Sequence, residues 1–378
     1  MKIAILTLRL HSNYGGILQA YALMTVLKRM GHEPMLIYNQ SFKYRHGIGI
    51  CAEYVDYLKR AFLKYLCGMK TLEVFKERRT RREYELLCGE QRLFIEKYLE
   101  PHTSLVYTEK DWSRLPKEYH FDAYIVGSDQ VWRPAYAQPI SCFFFSFLKD
   151  NPVKRLSYAA SFGTDQWLFS EKETQECKQL IQQFSSVSVR EESGIKLCKE
   201  RLDCDAVHVL DPTMLLKAGD YEYLIEKRGK RNGLLVYVLD ETKEKQMWIE
   251  LLMNHYRLNA FTVNQRQTAT SPLPSVQSWL DGFASAQCVF TDSFHACVFS
   301  ILFHVPFWVY GNESRGQARF VSLLTQFGLE DRIVASTCDL DRLCKVKAVD
   351  WSKVDKKLDQ LRQFSLDYLV DALSKDNY

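Results

Sequence analysis

The chain has 378 residues, 47% of them apolar, and a formal net charge of +4. That much apolar sequence can bury a large core, and its length favours two domains. No run of 18 apolar residues suggests a transmembrane helix. The charge excess is local: between Lys43 and Arg114, 15 Lys or Arg stand against 11 Asp or Glu, and the remainder is near balance. A nucleic-acid protein would show a dominant basic face, so none is expected as a partner.

The eleven cysteines are scattered without paired C-x-x-C spacings. They read as buried thiols of a reducing cytoplasm, with neither a disulfide framework nor a metal site. The apolar run at the N-terminus is interrupted by Arg9 and His11, and reads as a first strand and not a signal peptide.

In chain order, Lys2 to Leu8 is predicted as a strand and Ile17 to Met30 as a helix. Between them lies His11-Ser12-Asn13-Tyr14-Gly15-Gly16. Two glycines ahead of a helix let a ligand approach the backbone and meet N–H donors, although a plain strand-to-helix turn reads the same way. Glu33 to Asn39 returns as the second strand. Ser41 to Pro101 then breaks the alternation with two helices, Cys51 to Leu66 and the charged Thr71 to Leu99. The first is basic and aromatic-rich, which suits either a membrane interface or a solvated face over a core.

Strands follow at Asp122 to Val126, Leu156 to Ala160, Ser186 to Val189 and Val207 to Leu210. Each ends in a polar cluster: Gly127 to Trp132, Ser161 to Thr164, Arg190 to Gly194, and Asp211 to Thr213. Polar groups at the carboxyl ends of parallel strands are where open α/β sheets keep their chemistry. A linker is expected near Lys217 to Asn232, where charge and glycine replace the apolar pattern. The second half reads as strand Leu234 to Leu239, helix Glu241 to Tyr256, strand Ala260 to Val263 and helix Val276 to Ala284. It continues with strand Ala286 to Phe290, turn Thr291 to Ser293, helix Phe294 to Phe303 and strand Val305 to Tyr310. A polar loop, Gly311 to Arg315, and helices Arg319 to Phe327 and Asp350 to Leu373 complete the chain. The architecture expected is α/β, with two doubly wound domains facing across a cleft. Residues 1–216 form the first, 41–101 a helical insertion in it, 233–340 the second, and 350–376 a helix packing back across to the first.

Asp292 or Ser293 can cap the helix at Phe294, which puts His295 in its first turn beside unpaired N–H groups. An imidazole there either meets an anion or only packs.

The polar clusters occur as NYGGILQAYAL (Asn13 to Leu23), FDAYIVGSDQVW (Phe121 to Trp132), SYAASFG (Ser157 to Gly163), SVREESG (Ser188 to Gly194), LDPT (Leu210 to Thr213), TDSFHA (Thr291 to Ala296) and NESR (Asn312 to Arg315). Together and in this order they resemble the polysaccharide pyruvyl transferase family over nearly the whole chain. The resemblance implies a fold similar to twin-Rossmann GT-B glycosyltransferases. It implies transfer of the enolpyruvyl unit of phosphoenolpyruvate to two hydroxyls of a hexose, giving a cyclic ketal and phosphate. The acceptor implied is a surface-polysaccharide precursor on a lipid carrier, which places the protein in the cytoplasm and at the inner membrane surface. Phosphoenolpyruvate is the co-substrate, with no further cofactor and no metal. Some members carry Arg two residues before the family histidine and Gly after it, where this chain has Ser293 and Ala296; Arg315 or Arg319 can supply the missing charge.

Phosphoenolpyruvate is doubly anionic and needs fixed donors. Arg190 is the expected clamp, since a guanidinium grips an oxyanion through two parallel bonds. Asn13, Gly15, Gly16, Ser128, Gln130, Ser161, Ser293, Asn312 and Arg315 are the other expected binding residues. His295 is the candidate general acid, and Asp129, Glu191 and Asp292 are unranked candidate bases. Two rivals remain: a nucleotide-sugar glycosyltransferase, and a carbohydrate- or phosphate-binding relative without turnover.

Overall fold

Apolar runs of four to five residues, too short and too uniformly buried for helices, pair in parallel in both halves of the chain. The computed structural model describes residues 1–39, 58–59, 83–225, 231–265, 268, 271–311, 317–334, 343 and 346–375. In the first half, β1 (Lys2–Leu6), β2 (Glu33–Leu36), β3 (Ala123–Val126) and β4 (Lys154–Ser157) form a sheet in the order β2-β1-β3-β4. Ile5 stands opposite Leu36 on one side and Ile125 on the other. β5 (Ser188–Val189) and β6 (Val207–His208) pair with each other and continue this sheet through bridges from Leu156 to Ser186 and from Ala160 to Val189. The second sheet holds β7 (Leu234–Tyr237), β8 (Ala260–Phe261), β9 (Cys288–Thr291), β10 (Phe307–Tyr310) and β11 (Ile333–Val334), ordered β11-β10-β9-β7-β8. Every pairing in both sheets is parallel.

The helices that cover them are α1 (Tyr14–Arg29), α2 (Gly89–Tyr98), α3 (Glu109–Tyr119), α4 (Glu171–Ile181), α5 (Glu192–Leu197), α6 (Lys243–Tyr256), α7 (Val276–Ser285), α8 (Phe294–Leu302), α9 (Gln317–Phe327) and α10 (Trp351–Ser374). α1 begins three residues earlier than expected. Asn13 is its N-cap, and the Asn13 Oδ1 accepts the Gly16 N–H at 3.1 Å, so both glycines lie inside the first turn. α3 was not foreseen; a reciprocal cap between Thr108 and Asp111 starts it in a charged stretch. The expected helix from Cys51 to Leu66 lies outside the described residues apart from Leu58 and Lys59. Of the expected Thr71 to Leu99 helix, the described part ends as α2.

One apolar cluster runs through both sheets, joining Ile5 and Leu18 to Trp279 and Phe299. Tyr14 stacks on Trp279 at 5.6 Å between ring centroids, and Tyr221 meets Phe299 edge-on at 4.9 Å. α10 ties the halves further. The Tyr368 hydroxyl donates to the Ser157 carbonyl at 3.1 Å, Arg362 Nε donates to the Met214 carbonyl at 2.9 Å, and Asp355 meets His304 at 2.8 Å. Ser365 Oγ accepts the buried Leu210 N–H at 3.0 Å. Replacing it by alanine strands that donor, so Ser365→Ala should lower stability by about 1–3 kcal/mol in denaturant unfolding. An unchanged midpoint would show that Leu210 finds another acceptor.

Candidate active site

Asp211 follows β6 and is fully buried. Its Oδ1 accepts the Thr213 N–H at 3.0 Å and the Thr213 hydroxyl at 2.6 Å. Its Oδ2 accepts Ser128 Oγ at 2.8 Å and Arg190 Nη1 at 2.9 Å, and lies 3.5 Å from His295 Nε2. Burial alone would raise its pKa, but the His295 ring, the Arg190 charge and the Thr213 donors outweigh burial and hold it well below the ordinary carboxylate range. Burial would likewise pull the Arg190 guanidinium down, yet Asp211, Asp129 and Glu191 raise it. A cation, an anion and an imidazole are thus joined through one carboxylate oxygen.

His295 sits in the first turn of α8, and its ring packs on the first turn of α1. A Cβ placed on Gly15 would fall 2.0 Å from His295 Nδ1, so only glycine admits the imidazole there. The N-terminal ends of two helices, one from each half, therefore meet around His295. Its Nε2 is buried and makes no hydrogen bond; distances of this kind tighten when a ligand arrives.

Over this corner opens a cleft of about 540 Å³. Its walls are the carboxyl ends of strands from both sheets: Arg9, His11 and Asn13 after β1, Asp129 and Gln130 after β3, Leu239 after β7, Asp292 and Ser293 after β9. Gly15, Tyr136, Trp279, Phe294, His295 and Arg319 close it. Asp129 has a φ of +79°, a left-handed backbone that costs about 1–3 kcal/mol in a non-glycine residue and recurs at functional sites. Its Oδ1 accepts the Gln130 N–H at 2.9 Å, and its Oδ2 accepts Asn13 Nδ2 at 3.0 Å. Asp292 is committed as well, to the N–H groups of Leu239 and Asp240 and to Lys245 Nζ at 2.7 Å. Arg9 and Arg319 line the cleft as well.

Asn13, Gly15, Asp129, Gln130, Asp292, Ser293 and His295 thus come together on one cleft. Others of the expected set stand behind it. Gly16 is used by the Asn13 cap. Ser128 supports Asp211, while Ser161 Oγ donates to Glu191 Oε1 at 3.0 Å. That same Glu191 oxygen accepts the Phe162 and Gly163 N–H groups at 2.8 and 3.1 Å, so Glu191 organises the loop after β4. Arg190 belongs to the Asp211 corner but has a side chain only 1% exposed, with the Phe294 ring 4.4 Å from its Cζ. The expected cap of α8 does not form: Ser293 is the N-cap residue without a side-chain bond, because Asp292 turns to Lys245 instead. Asn312 and Arg315 lie outside the described residues. Asp211 had shown only as one polar cluster among several, and nothing in the sequence pairs Lys245 with Asp292 across 47 positions. His11 carried no signal beyond its place in the glycine loop, and Arg9 none beyond interrupting the first apolar run. Among the described residues no cluster of three or more His, Cys, Asp or Glu could hold a metal ion, and no helix is long and apolar enough to cross a membrane. The described cysteines are free, most of them buried.

The fold and the placement of the cleft define a GT-B-like α/β protein. A Listeria monocytogenes protein assigned as UDP-N-acetylglucosamine 2-epimerase is similar in structure with a TM-score of 0.52 at 10% identity, over 100% of this chain and 97% of that one. The UDP-N-acetylglucosamine 2-epimerase of Rickettsia bellii (0.50, 8%, 98% of each chain) and the UDP complex of S. aureus MnaA (0.50, 8%, 98% and 94%) are similar to it too. At such identities the likeness is one of fold. No curated protein matches the sequence significantly. Residues 13–314 match the family described as polysaccharide pyruvyl transferase, and the chain belongs to that family.

Two measurements probe the corner. Gly15→Ala should displace the His295 ring, abolish activity and lower the melting temperature, and a crystal structure of the variant with His295 unmoved would contradict the packing. His11 is held down to about 4, by burial first and by Arg9 second, against the opposing pull of Asp129. The folded state then binds fewer protons than the unfolded state between about pH 4 and 6.5, so stability falls as pH drops through that window. His11→Asn should flatten this part of the melting-temperature profile; an identical slope would mean that His11 titrates normally.

Proposed function

We propose that the chain transfers the enolpyruvyl group of phosphoenolpyruvate to two hydroxyls of a hexose in a surface-polysaccharide precursor, forming a pyruvate ketal and releasing phosphate. The observation that carries this reading is the cleft lined by Arg9, Asp129 and Arg319, opening on an imidazole held beside Asp211 and Arg190. Such a site favours a small polyanion beside a proton donor. Residues 1–216 and 233–340 serve as the two lobes that supply its walls.

In the reaction, His295 gives its proton to the methylene carbon of the donor, and the double-bond electrons form the new C–H bond. The adjacent carbon becomes oxocarbenium-like, and the first sugar hydroxyl attacks it while passing its proton to a base. The C–O bond to phosphate then breaks, phosphate leaves with that electron pair, and the second hydroxyl closes the ketal as its proton returns to His295. Asp129 is the base best placed for this role, because it stands on the wall, whereas Glu191 stands behind it and Asp292 is bound to Lys245. Asp211 holds His295 in orientation, and Asn13 fixes Asp129. Gly15 brings the backbone N–H of a helix end toward the anion, and Ser293 and Gln130 add polar groups on the wall. A lipid-carried acceptor would be met at the inner face of the cytoplasmic membrane, with the protein bound there peripherally.

His295→Gln should fold and keep its melting temperature, while phosphate release from phosphoenolpyruvate with an acceptor hexose drops about 10²- to 10⁴-fold. Turnover within a few-fold of the parent protein would remove His295 from the chemistry. Nucleoside diphosphate release from a nucleotide sugar, with no phosphate from phosphoenolpyruvate, would overturn the reading in favour of a glycosyltransferase.

A further inference from the structure

Among the described cysteines, Cys204 alone is half-buried, while Cys88, Cys142, Cys177, Cys198, Cys288 and Cys297 are buried. The backbone brings Cys198 and Cys204 together. α5 runs on into a wide π-helical turn, Cys198–Leu202, which Asp203 ends with a left-handed backbone at a φ of +53°. The chain reverses there. The Cys204 N–H donates to the Cys198 carbonyl at 3.2 Å, and Cys204 Sγ lies 3.9 Å from the same oxygen. α-Carbons joined through such a bond fall within the span of roughly 4.4–6.8 Å that disulfides bridge. Gln182 Nε2, at the end of α4, donates to the Leu202 and Asp203 carbonyls at 3.1 and 3.2 Å, so the turn is also held from outside.

The two thiols differ in the way a reacting pair needs. The Cys198 thiol donates a hydrogen bond to Cys204 and lowers its pKa, which burial and the charges of Asp205 and Asp203 oppose and Lys199 assists. That same bond, and then burial, raise Cys198. Elsewhere burial pushes the Cys142 and Cys288 thiols up to about 12 and raises Cys88, Cys177 and Cys297, which leaves them protonated and inert. Thiolate character and access therefore coincide at Cys204, with a second thiol beside it.

We propose that Cys198 and Cys204 form a thiol–disulfide site oxidised by low-molecular-weight disulfides, with Cys204 attacking and Cys198 resolving. The Cys204 thiolate attacks one sulfur of the small disulfide; a new S–S bond forms, the old one breaks, and the far half leaves as a thiolate. Cys198 then gives up its proton, and its sulfur attacks that of Cys204 and displaces the other half as a second thiolate. The two cysteine protons end on the two released thiols, and the pair loses the two electrons that the small disulfide gains. The bridge closes residues 198–204 into a ring on the stretch between Arg190 and Asp211, and an added dithiol reopens it. Resolution by Cys198 spares the accessible thiol an irreversible oxidation. The site does not depend on what the cleft binds.

The test is incubation of the full chain with glutathione disulfide, followed by alkylation, trypsin and peptide mass analysis. Cleavage falls after Lys196, Lys199, Arg201 and Lys217, so the bridge should appear as peptide 197–199 joined to peptide 202–217, and dithiothreitol should separate them. Cys198→Ser should stop at one glutathione half on Cys204, and Cys198→Ala serves if the serine variant does not fold. Cys204→Ser should show neither a bridge nor an adduct at Cys198. In the untreated parent, N-ethylmaleimide should label Cys204 at least about 10-fold faster than Cys142 and Cys288. A glutathione adduct that persists on Cys204 in the parent, a bridge from Cys204 to any other cysteine, or labelling of Cys204 no faster than of Cys142 would overturn the site. An adduct at Cys198 in Cys204→Ser would overturn the assigned order of attack.

Discussion

A single buried carboxylate, that of Asp211, decides the arrangement of everything around the cleft. A lone carboxylate in that position would be strongly disfavoured, and a buried cation beside it equally so. Each makes the other tolerable: Arg190 Nη1 and Ser128 Oγ satisfy one oxygen of Asp211, and Thr213 satisfies the other. The cluster brings together the ends of β3, β5 and β6, and His295 reaches it from the second half of the chain. Removing Asp211 would leave Arg190 as an uncompensated charge, so position and charge in this corner stand or fall together.

The frame that holds the corner is stiff for an ordinary reason. The two sheets share one continuous apolar cluster, and α10 sends hydrogen bonds to Ser157, Leu210 and Met214 from the far end of the sequence. Leu210 is the residue before Asp211, so the C-terminal helix braces the acid directly. Gly15 adds a steric requirement, since the imidazole occupies the space a side chain would take. Backbone strain at Asp129 fits the same picture, because a left-handed residue persists only where its surroundings over-determine it.

Much of this was legible from residue order. Unbroken apolar runs followed by polar turns announced parallel strands, and the structure places Asp129, Ser293 and His295 at the strand ends where that pattern put them. What the pattern could not show was direction. Asp292 and Glu191 occupy positions that suit a cap or a base, yet Asp292 is claimed by Lys245 on α6 and Glu191 by the N–H groups after β4. Such choices depend on which donor happens to lie opposite, and that is fixed by packing between segments far apart in sequence. Arg190 illustrates the same limit. Its residue type promised an oxyanion clamp, while its burial against Phe294 and its pairing with Asp211 come from segments the sequence does not bring together. Asp211 itself was hidden because a DPT turn after a strand is ordinary capping chemistry until a histidine arrives from 84 residues further on.

An imidazole and a buried guanidinium, set where two helix ends meet, are the groups the proposed reaction uses on a small double anion. Family membership supports the same donor. The most direct measurement is a crystal structure of the protein soaked with phosphoenolpyruvate. The account predicts density for the donor in the cleft, with its methylene carbon facing the His295 ring. Donor density elsewhere on the molecule, with His295 unapproached, would contradict it.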